Sequence, residues 1–71
     1  MTTTVSPYYL EGIQEGRAAL TKHGMAIARD ELRNLESTIR RGFDAQSPVG
    51  QMLRGERDFW RNQLKREARK E

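Results

Sequence analysis

The sequence predicts an all-α protein, a small bundle of two to three helices that dimerisation completes. Two Ser-Pro pairs, at positions 6–7 and 47–48, are typical helix starts. Apolar residues recur at spacings of three and four, and no segment shows the alternation that strands require. A chain of 71 residues forms one domain, 1–71, and buries only about 60% of its unfolded surface. A second subunit would enlarge so thin a core.

The first helix is predicted over residues 7–23. Ser6 is its N-cap, and Pro7 occupies the first helical position, where its missing N–H removes no hydrogen bond. Gly24 is a suitable residue for the C-terminal stop. One face of this helix carries the apolar and small residues Tyr9, Ile13, Gly16 and Leu20.

The second helix is predicted over residues 25–41, with Gly42 beyond two terminal arginines. The step from Leu20 to Met25 is five residues, so the two helical registers are out of phase. The pattern allows either a turn between separate helices or a kink in one long helix. The second register consists of Met25, Ala28, Leu32, Leu35 and Ile39.

The third helix is predicted over residues 48–68, after a loop at 42–47, and carries two apolar stripes. Val49, Leu53, Trp60 and Leu64 form the first stripe, and Met52 and Phe59 lie about 100° away from it. A helix that packs against two others needs so wide a sector. Alternatively, one ring faces a second chain. We expect Trp60 to point inward and Phe59 and Met52 to lie at a seam or interface.

Aromatic residues and arginine dominate the energetics of many protein interfaces. The sequence therefore predicts a partner-binding surface, and Phe59→Ala should abolish partner capture while the helices persist. Its members are Phe59, Trp60, Arg57, Arg61 and Met52.

Small residues share one face of the first helix. Glycine inside a helix costs roughly 0.5–1 kcal/mol relative to alanine, so Gly12 and Gly16 indicate a close helix approach. Together with Ala19 they predict helix packing, within the chain or between subunits of an oligomer. Tyr8 and Tyr9 either cap the end of the bundle or form a ligand surface near Arg17 or Lys22.

The positive charge is concentrated in the last third of the chain. Residues 48–71 contain seven Lys or Arg against four acids, which accounts for the whole formal charge of +3. A basic helical face suits nucleic acid, a nucleotide or an acidic protein, whereas a merely solvated helix end explains the same charges. The candidate anion-binding residues are Tyr8, Arg17, Lys65, Arg66 and Arg69.

Other functional classes find little support in the sequence. The chain has no Cys and a single His, His23, so we expect no metal site, no cofactor and no catalytic activity. No segment has the roughly 18 apolar residues of a membrane span, and the start MTTTVSPYYL does not resemble a signal peptide. These features predict a cytoplasmic protein that does not bind membranes.

Two stretches, SPYYLEGIQEGRAAL and SPVGQMLRGERDFWRNQLKR, resemble small helical accessory proteins of bacteriophages. The resemblance implies a binding protein that inhibits a host defence complex or regulator, or one that sequesters a nucleotide signal. Tyr9-x-x-Gly12-Ile13 is also similar to a segment of ribosome modulation factors, although the following Gly16-Arg17 is shifted by one residue and only Trp60 represents that family's paired tryptophans.

Three functions are therefore predicted. The first is binding and inhibition of a host protein by a homodimer in the cytoplasm of the host cell. The second is binding of nucleic acid or a cyclic nucleotide through the basic third helix. The third is a purely structural role, as a small structural component of a phage.

Overall fold

The computed structural model describes residues 6–69 and confirms the all-α prediction. Three helices, α1 (Pro7–His23), α2 (Ala28–Arg40) and α3 (Pro48–Arg69), form a small bundle, and residues 6–69 contain no strand. A single 3₁₀ turn, Met25–Ile27, precedes α2. No helix in this part of the chain is long and apolar enough to cross a membrane.

Serine side chains organise the starts of α1 and α3. The Ser6 hydroxyl accepts a hydrogen bond from the Tyr8 amide at 3.1 Å. Before α3, the Ser47 hydroxyl accepts from the Gly50 amide at 3.0 Å and donates to the Asp44 carbonyl at 2.8 Å. Both Ser-Pro pairs therefore act as the helix starts that the sequence predicts, because each serine satisfies an amide that has no partner within its helix.

The phase break after Leu20 is a turn between two helices and not a kink. Gly24 adopts φ +75°, a conformation that L-residues with a side chain rarely adopt, and its amide donates to the Leu20 carbonyl at 2.7 Å. The predicted second helix starts later than expected, since residues 25–27 form the 3₁₀ turn. The chain then returns through α2 to the end of the bundle where α3 begins.

Helix α3 lies between the other two helices. It packs against both α1 and α2, whereas α1 and α2 share almost no direct contact. The contacts of α1 with α3 advance in the same order along both helices, so these two helices run in the same direction. This central position explains the wide apolar sector of α3.

Glycines bring the backbones of α1 and α3 together. A Cβ atom added to Gly12 would overlap the Met52 carbonyl, and one added to Gly55 would overlap the Tyr9 carbonyl. Farther along α1, a Cβ at Gly16 would lie 2.6 Å from the Phe59 ring. Gly12 and Gly16 are thus buried inside the chain, and Ala19 packs against the core. The predicted close approach is within the chain, so these glycines do not form an exposed oligomer surface.

Adjacent aromatic residues fill the core. Trp60 is fully buried, Phe59 is 7% exposed, and their ring centroids lie 5.2 Å apart in an edge-to-face arrangement. Ala28 and Leu35 of α2 complete the buried cluster. The inward position of Trp60 is confirmed. Of the two positions predicted for Phe59, a seam or an interface, the structure shows the seam between α3 and α1, because the space at Gly16 admits its ring there.

The ends of the predicted apolar stripes differ from expectation. Val49 is 51% exposed, because it precedes the segment of α3 that α1 and α2 cover. Met52 is half-buried, with its carbonyl at the α1 crossing. Dimerisation stays a prediction.

Candidate functional site

A cavity of about 300 Å³ lies between α1 and α3. We call it the inner cavity. Helix α1 contributes Tyr9, Ile13, Arg17 and Leu20 to its lining, and α3 contributes Asp58, Phe59, Asn62, Gln63 and Arg66. Because the two helices run side by side in the same direction, their equivalent turns meet along this cavity. The sequence separates these two groups of residues by more than thirty positions.

Asp58 forms an internal network at one end of the inner cavity. Its Oδ2 accepts a hydrogen bond from the Tyr9 hydroxyl at 2.6 Å, and its Oδ1 lies 3.0 Å from the Arg57 guanidinium. Arg61 is 4.0 Å from the same oxygen. The hydrogen bond to Asp58, followed by burial, raises the pKa of the Tyr9 hydroxyl. Both carboxylate oxygens are therefore engaged within the protein.

The two cations that line the inner cavity, Arg17 and Arg66, do not pair with Asp58. Arg17 and Arg66 form no ion pair or side-chain hydrogen bond with any residue from 6 to 69. Both are exposed. A guanidinium group offers several N–H donors in a planar array that matches carboxylate and phosphate oxygens. The arrangement therefore leaves guanidinium donors from two helices at the inner cavity without a partner among residues 6–69.

A second cavity of about 310 Å³ adjoins the first on α3. It is lined by Asn62, Lys65, Arg66 and Arg69, so Asn62 and Arg66 border both cavities. We call this the outer cavity. Lys65 and Arg69 also lack an ion-pair partner among the described residues. We define the basic surface as Arg17, Lys65, Arg66 and Arg69.

The structure brings four of the five predicted anion-binding residues to the same two cavities and places the fifth apart from them. Arg17, Lys65, Arg66 and Arg69 border the two adjoining cavities. Tyr8, in contrast, is 43% exposed and borders neither cavity. Its neighbour Tyr9 lies beside Arg17 instead, since Tyr9 is on the face of α1 that meets α3.

The predicted partner-binding residues do not form one exposed surface. Trp60 is fully buried, and Phe59 is 7% exposed, where it borders the inner cavity, so neither ring is presented on an open surface to a partner protein. Arg57 is committed to Asp58, and Arg61 pairs with Glu36 of α2 at 3.1 Å. In this structure, these arginines connect parts of the chain itself.

Acidic residues gather on a different side of α3. Burial raises the pKa of the Glu56 carboxyl, and the negative charges of Glu31 and Glu15 raise it further. The indole N–H of Trp60 has the opposite, smaller influence. That N–H is itself buried without an acceptor in good hydrogen-bond geometry. The bundle therefore combines a basic surface with an acidic cluster to which each of the three helices contributes.

Residues 6–69 contain no group of three or more His, Cys, Asp or Glu side chains placed to hold a metal ion. Comparison with protein-family models, with curated proteins and with solved structures gave no match to this chain.

Sequence reasoning missed Tyr9, Asp58, Asn62 and Gln63 as neighbours of the cationic residues. Asn62 and Gln63 carry amides that donate and accept hydrogen bonds, a useful property beside an anion-binding group. A signal was present in the sequence, because Gly12 and Gly55 indicate which turns of α1 and α3 meet. Pairing those glycines would have placed Arg17 level with the turn of α3 that contains Asn62 and Gln63.

Proposed function

We propose that this chain is a non-enzymatic protein that binds phosphate-bearing anions, nucleic acid foremost, through its basic surface. The observation that supports this function is the convergence of Arg17 from α1 with Lys65, Arg66 and Arg69 from α3 around two adjoining cavities. These four cations have no ion pair with any residue from 6 to 69, whereas Arg57 and Arg61 of α3 do.

Unpaired cations held close together repel one another, and an anion that bridges them removes this repulsion. A nucleic-acid backbone would also release its condensed counterions as the phosphates meet Lys and Arg side chains. The two linked cavities provide room for successive phosphates. An extended strand suits this shallow, two-part surface, and the residues at its border contribute both charge and amide hydrogen bonds.

The experiment is a titration of fluorescently labelled duplex and single-stranded oligonucleotides at several salt concentrations. For four phosphate contacts on duplex DNA, log K should fall with log salt at a slope of about −3.6. Lys65→Gln and Arg69→Gln should each reduce the magnitude of that slope by about one. Arg33→Gln is the charge-matched control, because Arg33 is exposed on α2 and borders neither cavity. A flat salt profile, or an equal effect of the control, would contradict the proposal.

A second candidate is binding and inhibition of a host protein, which the bacteriophage resemblance implies. The observation that favours it is the exposure of large apolar side chains in the first turn of α1, where Tyr8 is 43% and Leu10 is 47% exposed. These residues would replace the buried Phe59 and Trp60 as contacts. Capture of one protein from nuclease-treated lysate, lost with Leu10→Ser and retained with Gln14→Ser, would support it. Capture that Leu10→Ser leaves unchanged would exclude this surface.

A further inference from the structure

We infer that the inner cavity binds a single nucleotide through its phosphate monoester, either as a free nucleotide or as the 5′ end of a strand. This inference rests on the proposed function and specifies the chemistry of its ligand. It follows from three properties of the inner cavity: the number of cations without partners, the state of its one carboxylate, and the nature of its walls.

The charge of the inner cavity favours a compact anion. Arg17 and Arg66 approach it from different helices, so one phosphate group between them can accept hydrogen bonds from both guanidinium groups. A phosphate monoester has more negative charge and more terminal oxygens than a diester within a strand. Two guanidinium groups therefore distinguish the monoester from the internal phosphates of a nucleic acid.

The carboxylate of Asp58 does not cancel this preference. Tyr9 donates to one of its oxygens, and Arg57 pairs with the other at 3.0 Å. Arg61 lies 4.0 Å from that second oxygen. The charge of Asp58 is thus compensated by arginines outside the inner cavity. Asp58 therefore does not neutralise Arg17 or Arg66, and both guanidinium charges can interact with a ligand.

The remaining walls suit a flat ring attached to the phosphate. Ile13, Leu20 and Phe59 provide apolar surface, against which the face of a base can pack. Asn62 and Gln63 offer amide donors and acceptors for its edge. The volume of about 300 Å³ lies at the lower end of the range for small-molecule pockets. One nucleotide suits this volume, and the adjoining outer cavity leaves a path for the next phosphate of a strand.

The test is isothermal titration calorimetry with adenosine 5′-monophosphate, adenosine and inorganic phosphate as probes. We expect the monophosphate to bind, and adenosine and inorganic phosphate each to bind at least tenfold more weakly. Arg17→Gln should weaken binding of the monophosphate tenfold or more. Lys65→Gln combined with Arg69→Gln removes twice the charge but only at the outer cavity, so it should have the smaller effect. Absence of monophosphate binding, or a larger effect of the outer double variant, would overturn the inference.

A second titration separates the two sources of the ligand and the two levels of the proposal. If strand ends are recognised, a 5′-phosphorylated oligonucleotide should bind more tightly than its 5′-hydroxyl counterpart, and Arg17→Gln should remove the difference. If free nucleotides are the ligand, the monophosphate binds and the two strands do not differ. Salt-dependent binding of both strands without any binding of the monophosphate would overturn this inference and leave the proposed function intact. Circular dichroism of each variant verifies that the helices persist.

Discussion

Gly12 of α1 and Gly55 of α3 face each other's helix backbones, and each leaves the space that a carbonyl group of the other helix occupies. The Met52 carbonyl lies where a Cβ of Gly12 would be, and the Tyr9 carbonyl lies where a Cβ of Gly55 would be. This reciprocal contact sets the register between α1 and α3. The same register brings Arg17 and Arg66 to the lining of one cavity and places Tyr9 beside Asp58.

Alanine at either glycine should destabilise the fold. Alanine gains roughly 0.5–1 kcal/mol of helix propensity, but the added methyl group meets the backbone of another helix, which cannot move aside as a side chain would. We expect a net loss of about 1–3 kcal/mol for Gly12→Ala and for Gly55→Ala, measured by urea denaturation. Gln14→Ala, at an exposed position of α1, is the control and should change stability by less than about 0.5 kcal/mol. A stabilising effect at either glycine would contradict the observed crossing.

Phe59→Ala should destabilise the whole fold, because it removes a ring from the core. Removing a buried phenyl ring typically costs about 3–5 kcal/mol, which is comparable with the total stability expected for a domain of this size. We therefore expect that unfolding of Phe59→Ala loses its cooperativity or that its unfolding midpoint drops strongly. Circular dichroism measures both. The control is Phe43→Ala, because Phe43 is 40% exposed in the loop before α3. Equal midpoints for the two variants would show that Phe59 is not a core residue.

Glu56 should make stability depend on pH. Its pKa is raised in the folded chain above the ordinary value of 4.5, chiefly by burial and then by Glu31 and Glu15. The folded state therefore binds more protons than the unfolded state between 4.5 and the raised pKa. It follows that the free energy of unfolding contributed by this group falls as pH rises through that window.

Glu56→Gln tests this dependence. The variant should lose the decline in stability that this group causes above pH 4.5. The free energy of unfolding of Glu56→Gln, relative to that of the wild type, should therefore increase as pH rises across the window. Thermal unfolding at a series of pH values, followed by Trp60 fluorescence, measures the effect. Glu11→Gln, at an exposed site on α1, is the control and should keep the wild-type decline. An unchanged profile for Glu56→Gln would contradict the role of this carboxyl.

Tyr9→Phe should weaken the contact between α1 and α3 without disrupting the core. It removes the 2.6 Å hydrogen bond to Asp58, whereas Arg57 continues to pair with that carboxylate. The expected cost is about 1 kcal/mol, since the site is only partly buried. Tyr8→Phe, at an exposed position, should leave stability within about 0.5 kcal/mol of the wild type.

The ionisation of Tyr9 provides a second measurement of the same contact. Asp58 and burial raise the pKa of Tyr9 above 10.0, so stability from this group should fall as pH rises from 10.0 through the raised value. Ultraviolet titration of Tyr8→Phe, which retains Tyr9, should show this raised pKa. Asp58→Asn in the same background should lower it. No change on removing Asp58 would exclude the hydrogen bond.

The sequence by itself determined the local elements of this protein. Ser6-Pro7 and Ser47-Pro48 start α1 and α3, and Gly24 ends α1, because capping and left-handed backbone conformations depend on a few neighbouring residues. The three-four spacing of apolar residues also identified Trp60 as a core residue and α2 as an amphipathic helix. These features are local, because each depends on a few neighbouring residues that favour one backbone conformation or one buried helix face.

Only the tertiary structure decided how the helices meet. Phe59 could have faced a partner, and Gly12 and Gly16 could have packed against another subunit, since the apolar pattern of a helix does not specify what covers it. The structure resolves both questions because Gly16 makes room for Phe59, and Gly12 and Gly55 let α1 approach α3 backbone to backbone. The same approach brings Arg17 and Arg66 to one cavity. That juxtaposition depends on the register between two helices distant in sequence, which no local pattern of charges encodes.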